Sequence, residues 1–279
     1  MIKLTKNKLF IFFITLVLLI SFTACEKNPT DPDEDQAPPL PPIESMQAEV
    51  AFFSNPPGQS LEKTNLSKNN FFAAGGRVII INAVVLTASI VPTAIFLAAL
   101  SQPPELQADG KFHWIYSVQQ GGHTYSADLA GSIDVPNSEV IWEMYITCTS
   151  YSPPLDNFLW YEGRAKIGNK EGWWIFHHDQ YHDSLVDVLK IDWQVPDSTH
   201  QNLKISNVYT THNDFGDNLE YQIENESGFL IYYDASESQT NTIHWDGDTG
   251  TGYIQWFDYK DGVKSCWDEN QDDSDCTPL

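Results

Sequence analysis

The sequence predicts a mainly β protein, in which a long antiparallel meander forms a strongly curved sheet, or an incomplete barrel, around an N-terminal apolar α-helix. Two observations lead to this prediction. Residues 111–267 alternate between apolar and polar side chains, and residues 78–100 contain no charged side chain. Alternation with a period of two turns one face of every strand towards a core. A sheet with one apolar face must be covered, and the preceding helix is the economical cover.

The alternation is clear from its first strand. Phe112, Trp114 and Tyr116 are separated by single residues, and turn signals follow at Gly121–Gly122 and Pro136–Asn137. Continued along the chain, the pattern gives about eleven or twelve strands with short turns. No helix-length pattern interrupts them, so neither a βαβ unit nor a dinucleotide-binding fold is expected.

The uncharged run at 78–100 allows two interpretations. As a helix it would be roughly 35 Å long, which is enough to span a bilayer. A spanning helix would leave Lys63, Lys68 and Arg77 outside and an acid-rich domain in the cytoplasm, against the usual distribution of positive charge. We therefore favour a helix that is apolar because protein surrounds it, with a kink or a break at Pro92.

The chain divides into three parts by composition. Residues 1–24 have the features of a secretory signal peptide, and residues 25–43, rich in Pro, Asp and Glu, are predicted to be a disordered tether. Residues 44–279 are predicted to form a single β-rich domain. Its helical N-terminal part covers 44–100, and the meander covers 111–267.

The first residues also predict where the protein is located. A basic start with Lys3, Lys6 and Lys8 is followed by an apolar run at 9–22 and then by Thr-Ala-Cys. This ending resembles a bacterial lipobox, which implies that Cys25 is lipidated and becomes the mature N-terminus. The membrane is then a partner through the N-terminal lipid. The domain would be anchored in the cell envelope, at the outer membrane, and be periplasmic or surface-exposed.

Two wider resemblances follow. The lipobox, the Pro/Asp tether, the apolar helix, the Trp/Tyr-rich meander and the Cys-Trp-Asp-Glu-Asn tail together resemble a group of uncharacterised Gram-negative lipoproteins, over most of the chain. The open barrel with a helix is similar in architecture to the periplasmic lipoprotein carriers and their outer-membrane receptors. No motif is shared with those carriers, so the likeness implies a shape and not an activity.

Charge and cysteine content narrow the classes of partner. The net charge of −23 over 279 residues repels phosphate backbones, so nucleic acid is not an expected partner. Cys266 and Cys276 flank a short acidic segment and are predicted to form a disulfide in an oxidising compartment. Cys148 lies in a strand-like run and is expected to be a buried free thiol.

The densest group of potential metal ligands follows one predicted strand. It consists of His177, His178, His182 and Asp183, and imidazole suits zinc or copper. His178 and His182 would share one side of a helical turn, whereas strand geometry would point His177 and His178 to opposite faces. The alternative is a polar hairpin loop without a metal.

The C-terminal tail offers a second candidate metal site. Asp268, Asn270 and Asp272 match the opening of a calcium loop, but Asp273 stands where such a loop requires glycine. An acidic turn closed by the predicted disulfide explains the same residues. No cofactor is predicted, and zinc or copper at the histidine group and calcium at this loop are the ions that the sequence suggests.

The leading functional interpretation is non-catalytic binding or scaffolding at the envelope, of an apolar or a glycan ligand. An exposed tryptophan, Trp173 or Trp174, could form a binding platform for it. A lipid or lipoprotein carrier that uses the half-barrel as a cradle is one alternative.

The other alternative is a glycan-active hydrolase. Glu143 and Glu162 lie on neighbouring predicted strands beside Trp142 and Trp160, and a pair of carboxylates is what glycoside cleavage requires. No local motif of a hydrolase nucleophile or of a phosphate-binding loop is present, so the sequence leaves open whether the protein is an enzyme.

Overall fold

The computed structural model describes residues 36–48, 51–54, 67–177 and 185–276, with the backbone alone for residues 51, 54 and 80–91. The predicted signal peptide at 1–24 and the lipidation site at Cys25 lie outside this part of the chain. The described part is mainly β, and its strands form one antiparallel sheet in which each strand pairs with its neighbours in sequence. The predicted antiparallel meander is confirmed.

The sheet has fourteen strands and is not closed, because β1 and β14 form its two edges. The last two strands have only three and two residues, too few for an alternating pattern to be recognised in the sequence. They extend the meander into the C-terminal tail. In chain order the strands are β1 (Glu105–Leu106), β2 (Phe112–Gln120), β3 (His123–Asp134), β4 (Glu139–Cys148), β5 (Leu155–Lys166), β6 (Glu171–His177), β7 (Asp187–Asp197), β8 (His200–Asn207), β9 (Asn218–Glu224), β10 (Ser227–Asp234), β11 (Gln239–Trp245), β12 (Gly252–Gln255), β13 (Ser265–Trp267) and β14 (Asp273–Ser274).

In the described residues, two α-helices precede the sheet. The short α1 is Ala51–Ser54, and the long α2 is Asn69–Ala99, with Pro92 inside it. Among the residues whose side chains are described, no helical segment is both long enough and apolar enough to span a membrane.

The described ends of α2 contact strands that lie near opposite edges of the sheet. Near its start, the ring of Phe71 lies 5.7 Å from that of Trp267 on β13. Near its end, the hydroxyl of Tyr116 on β2 donates a 2.6 Å hydrogen bond to the carbonyl oxygen of Ile95. Both ends of the helix therefore lie against the apolar face of the sheet, which we call the core face.

Strand β4 illustrates how the sequence separates the two faces. Val140, Trp142, Met144 and Ile146 are buried, and the residues between them are partly exposed. This is the period-two pattern of a strand with one face in the core. We call the opposite side of the sheet the polar face.

On the core face, several tryptophans are paired with glycines of the neighbouring strand. Five tryptophans each lie directly opposite a glycine of the preceding strand, where their rings occupy the space that a side chain would need. A Cβ atom on Gly131, for example, would stand 2.7 Å from the Trp142 ring, closer than van der Waals contact permits. The five pairs are Gly131 with Trp142, Gly163 with Trp174, Gly172 with Trp193, Gly228 with Trp245, and Gly252 with Trp267.

The start of the described chain also packs on the core. Residues 37–43 fall within the predicted tether, yet Ala37, Leu40 and Ile43 contact the hydrophobic core. The end of that segment therefore belongs to the domain, because its apolar residues find a surface to cover. Residues 25–35 of the predicted disordered tether lie outside the described part of the chain.

Hydrogen bonds fix this N-terminal segment to the middle of the sheet. The indole nitrogen of Trp174 donates to the Ser45 hydroxyl at 3.1 Å. The side-chain amide of Gln201 donates to the carbonyl oxygens of Glu44 and Gln47, at 2.6 and 2.7 Å. These bonds join the residues just before α1 to strands β6 and β8.

Candidate functional site

A groove of about 420 Å³ crosses the polar face of the sheet from β4 to β9. Strands β6, β7, β8 and β9 each contribute three consecutive residues to its lining, ranges 171–173, 192–194, 202–204 and 220–222. The groove is therefore narrow along the strands and long across them. We call it the Trp173 groove after the half-buried tryptophan in it.

The pairing register brings a first row of side chains into line across the groove. Arg164, Trp173, Asp192, Lys204 and Glu220 come from β5 to β9, and each lies directly opposite the next. Neighbouring strands are about 4.8 Å apart, so this charged row extends over about 19 Å. Trp173 is its only aromatic member.

A second row runs parallel to the first, two residues along each strand. It consists of Glu171, Gln194, Asn202 and Gln222, on β6 to β9, and all four are exposed. Gln194 makes a 3.4 Å hydrogen bond to Glu171, whereas no side-chain hydrogen bond to another described residue is seen for Asn202 or Gln222. We call these four residues the amide row, after the three amide side chains among them. Because each amide can both donate and accept, the amide row offers directed hydrogen bonds to a ligand.

Most charged side chains of the groove form ion pairs. Lys204 Nζ lies 2.9 Å from Glu220 Oε1, Arg164 Nη1 lies 3.2 Å from Glu139 Oε2, and Lys166 Nζ lies 2.8 Å from Glu139 Oε1. The hydrogen bond from Lys166 is the main reason that the pKa of Glu139 lies below its ordinary value. In a protein with a net charge of −23, the groove thus groups basic residues beside its acids and has little excess charge.

Trp173 differs in exposure from the other tryptophans. The remaining eight of the nine are buried, and Trp174, the alternative platform in the sequence analysis, is completely inaccessible. The expectation for Trp174 is wrong because strand alternation turns it to the core face, where it covers Gly163. Trp173 is the neighbour that faces outward.

His177 lies at the end of β6, where the register with β7 shifts. Its Nδ1 atom is 3.0 Å from Asp187 Oδ1, and its Nε2 atom is 4.0 Å from Glu162 Oε1. The ring is buried, and the other three predicted ligands lie outside the described residues: His178, His182 and Asp183. In the part of the chain that the structure describes, no group of three or more His, Cys, Asp or Glu side chains is arranged to hold a metal ion.

The predicted calcium loop is a turn between β13 and β14. Asp268 Oδ1 accepts hydrogen bonds from the backbone nitrogens of Asn270 and Asp272, at 2.9 and 3.0 Å. That carboxylate oxygen is therefore engaged by backbone N–H groups of the turn, which favours the acidic turn over a calcium loop. The predicted disulfide between Cys266 and Cys276 closes the segment and is confirmed.

The proposed carboxylate pair of a hydrolase is adjacent but lies outside the groove. Glu143 and Glu162 are directly opposite on β4 and β5. Glu143 is engaged, because Lys111 forms an ion pair with it and the hydroxyl of Tyr145 donates to it at 3.2 Å. The tryptophans expected beside the pair are buried on the core face instead: Trp142 and Trp160.

The sequence analysis did not identify the two rows of the groove. Their members come from five strands, and only the register reveals which of them meet. The composition of the segments carried one usable signal, since three amide side chains recur at outward positions of β7, β8 and β9. Comparison of the chain with models of protein families, with curated proteins and with solved structures finds no match.

Proposed function

We propose that the protein is a lipid-anchored envelope protein whose β domain binds a carbohydrate, without catalysis, through the Trp173 groove. One observation carries this proposal. The only one of the nine tryptophans that is not buried lies in a groove beside a row of exposed amides. Large apolar surfaces with a few directed polar groups are typical of small-molecule sites.

The chemistry of a sugar ring fits these residues. One face of such a ring presents C–H groups, which pack on an aromatic plane, and its edge presents hydroxyls, which need both donors and acceptors. Trp173 offers the plane, and Gln194, Asn202 and Gln222 offer the donors and acceptors. Because most charges of the groove are paired, we expect a neutral glycan rather than a strongly charged ligand.

The location of the domain forms part of the same proposal. It rests on the signal-peptide pattern at 1–24 and on Cys25, which follows Thr-Ala as in a lipobox. The acidic domain would then stand on the membrane surface, where polysaccharides of the envelope or the surroundings are within reach. Replacing Cys25 by Ser should release the protein from the membrane fraction.

We also propose that the sheet curves around α2 as an incomplete barrel. The contacts of Phe71 with β13 and of Ile95 with β2 favour this arrangement, since they join the two ends of the helix to strands near opposite edges of the sheet. A helix in this position would occupy the concave side, which favours a ligand on the polar face over an acyl chain in a cradle.

Affinity electrophoresis of the mature protein tests the proposed function. The gels would contain neutral polysaccharides, each in turn, and the expected result is that at least one of them retards the wild-type protein. Trp173→Ala should weaken this retardation about tenfold or more, which corresponds to about 1.4 kcal/mol.

Phe257→Ala is a matched control, because Phe257 is an exposed aromatic outside the groove. It should migrate like the wild type in every gel. Equal retardation of Trp173→Ala and the wild type would contradict the proposal, and so would the absence of retardation by every polysaccharide in the set.

A further inference from the structure

We infer that the Trp173 groove takes a linear glycan that lies across the strands, with successive sugar units over successive strands from β6 to β9. This inference rests on the proposed function and adds the shape and the direction of the ligand. It predicts where each end of the bound chain lies and which residues contact it.

The dimensions of the lining carry the first step. Each of β6 to β9 contributes only three consecutive residues, so the groove is about 7 Å long in the strand direction. Across the strands, the same residues extend over three interstrand spacings, about 14 Å, before β5 is added. A ligand that fills the groove must therefore be elongated and perpendicular to the strands.

The two rows carry the second step. The charged row and the amide row place one polar side chain on each side of the groove at every strand from β7 to β9, for example Asp192 with Gln194 and Lys204 with Asn202. This arrangement repeats once per strand, at about 4.8 Å. An extended chain of β-1,4-linked six-membered sugars advances by nearly the same distance per unit, so each unit would lie between one such pair of side chains.

The aromatic residue defines one end. Trp173 lies on β6 in the charged row, and Gln222 is the β9 member of the amide row, three strands away. A disaccharide stacked on Trp173 would cover β6 and β7 and leave Gln222 uncontacted. A tetrasaccharide would reach Gln222, so the contribution of that residue should depend on the length of the ligand.

Calorimetric titration of the mature protein with β-1,4-linked glucose and N-acetylglucosamine oligomers, from disaccharide to hexasaccharide, tests the inference. In at least one of the two series, the affinity should rise about tenfold from disaccharide to tetrasaccharide and then level off. Gln222→Ala should weaken tetrasaccharide binding several-fold and leave disaccharide binding unchanged.

Gln255→Ala is the control, because Gln255 is an exposed glutamine on β12, outside the groove. Equal affinities for disaccharide and tetrasaccharide would overturn the inference, as would a loss in Gln222→Ala that is the same for both lengths. Failure of both series to bind would also overturn it. Retardation by a polysaccharide that depends on Trp173 would in that case still stand, which separates this outcome from failure of the proposed function.

Discussion

Five glycines of the core face are positions where an indole ring takes the place of a side chain. In each pair the glycine is on one strand and the tryptophan is directly opposite on the next. The indole covers the glycine backbone, so the ring fills the space that the glycine, which weakens a strand on its own, leaves empty. This pairing explains how the core face accommodates so many large aromatic residues.

Gly131→Ala tests this interpretation. Its new methyl group would meet the ring of Trp142, which is completely buried and cannot move aside. We expect the variant to lose about 1–3 kcal/mol of unfolding free energy, as overpacked cores do. Chemical denaturation of the mature protein measures the loss.

Gly76→Ala is the matched control. A methyl group there meets no atom within 4 Å, and the position lies inside α2. Alanine is a better helix former than glycine by up to about 1 kcal/mol, so this variant should be as stable as the wild type or more stable. A Gly131→Ala protein as stable as the wild type would show that the indole does not fill that space.

At the scale of elements, the side chain of Asn70 makes several of the contacts that hold the start of α2 against the region around β13. The amide of Asn70 donates to the carbonyl oxygen of Cys266 at 2.6 Å and accepts from the Tyr259 hydroxyl at 2.8 Å and from Lys260 Nζ at 2.7 Å. Asn70 and Cys266 are buried, whereas Tyr259 is half-buried and Lys260 is exposed, so the carbonyl of Cys266 has the least access to water as a replacement. The disulfide closes the same tail.

Asn70→Ala should therefore destabilise the protein by more than the loss of a single exposed hydrogen bond would. Removing the side chain leaves the buried carbonyl of Cys266 without its partner, at a cost of about 1–3 kcal/mol. The midpoint of thermal unfolding measures the effect.

Asn202→Ala is the control for this variant, since Asn202 is exposed and makes no side-chain hydrogen bond to another described residue. Its unfolding midpoint should equal that of the wild type. If both variants had the same unfolding midpoint as the wild type, the hydrogen bonds of Asn70 would not stabilise the contact between α2 and the tail.

At the scale of the whole molecule, the order of the strands could be predicted from the sequence, because each strand pairs with the next and no crossover has to be inferred. The alternation in β4 and β7 also identifies which residues face the core. In β6 it fails, because Trp173, Trp174, Ile175 and Phe176 are all apolar and hide the period. The glycine opposite Trp174 resolves the ambiguity, and this becomes visible only when the register is known.

The groove depends on register even more than the core does. Members of its two rows that lie opposite each other on neighbouring strands are 8 to 23 residues apart in the sequence. The sequence pattern does not reveal that Trp173, Asp192 and Lys204 lie in one line. The register shifts within β4–β5, β6–β7 and β7–β8 add to this difficulty, because each bulge changes which residues are opposite. A ligand site built from such rows cannot be read from local motifs.

Quenching of tryptophan fluorescence by acrylamide, with and without a polysaccharide that retards the protein, tests the central claim most directly. Trp173 should account for most of the readily quenched emission, because the other eight tryptophans are buried. The account predicts that the polysaccharide protects this fraction, and that Trp173→Phe lacks both the quenched fraction and its protection. Binding of the polysaccharide with the accessible fraction unchanged would contradict the account.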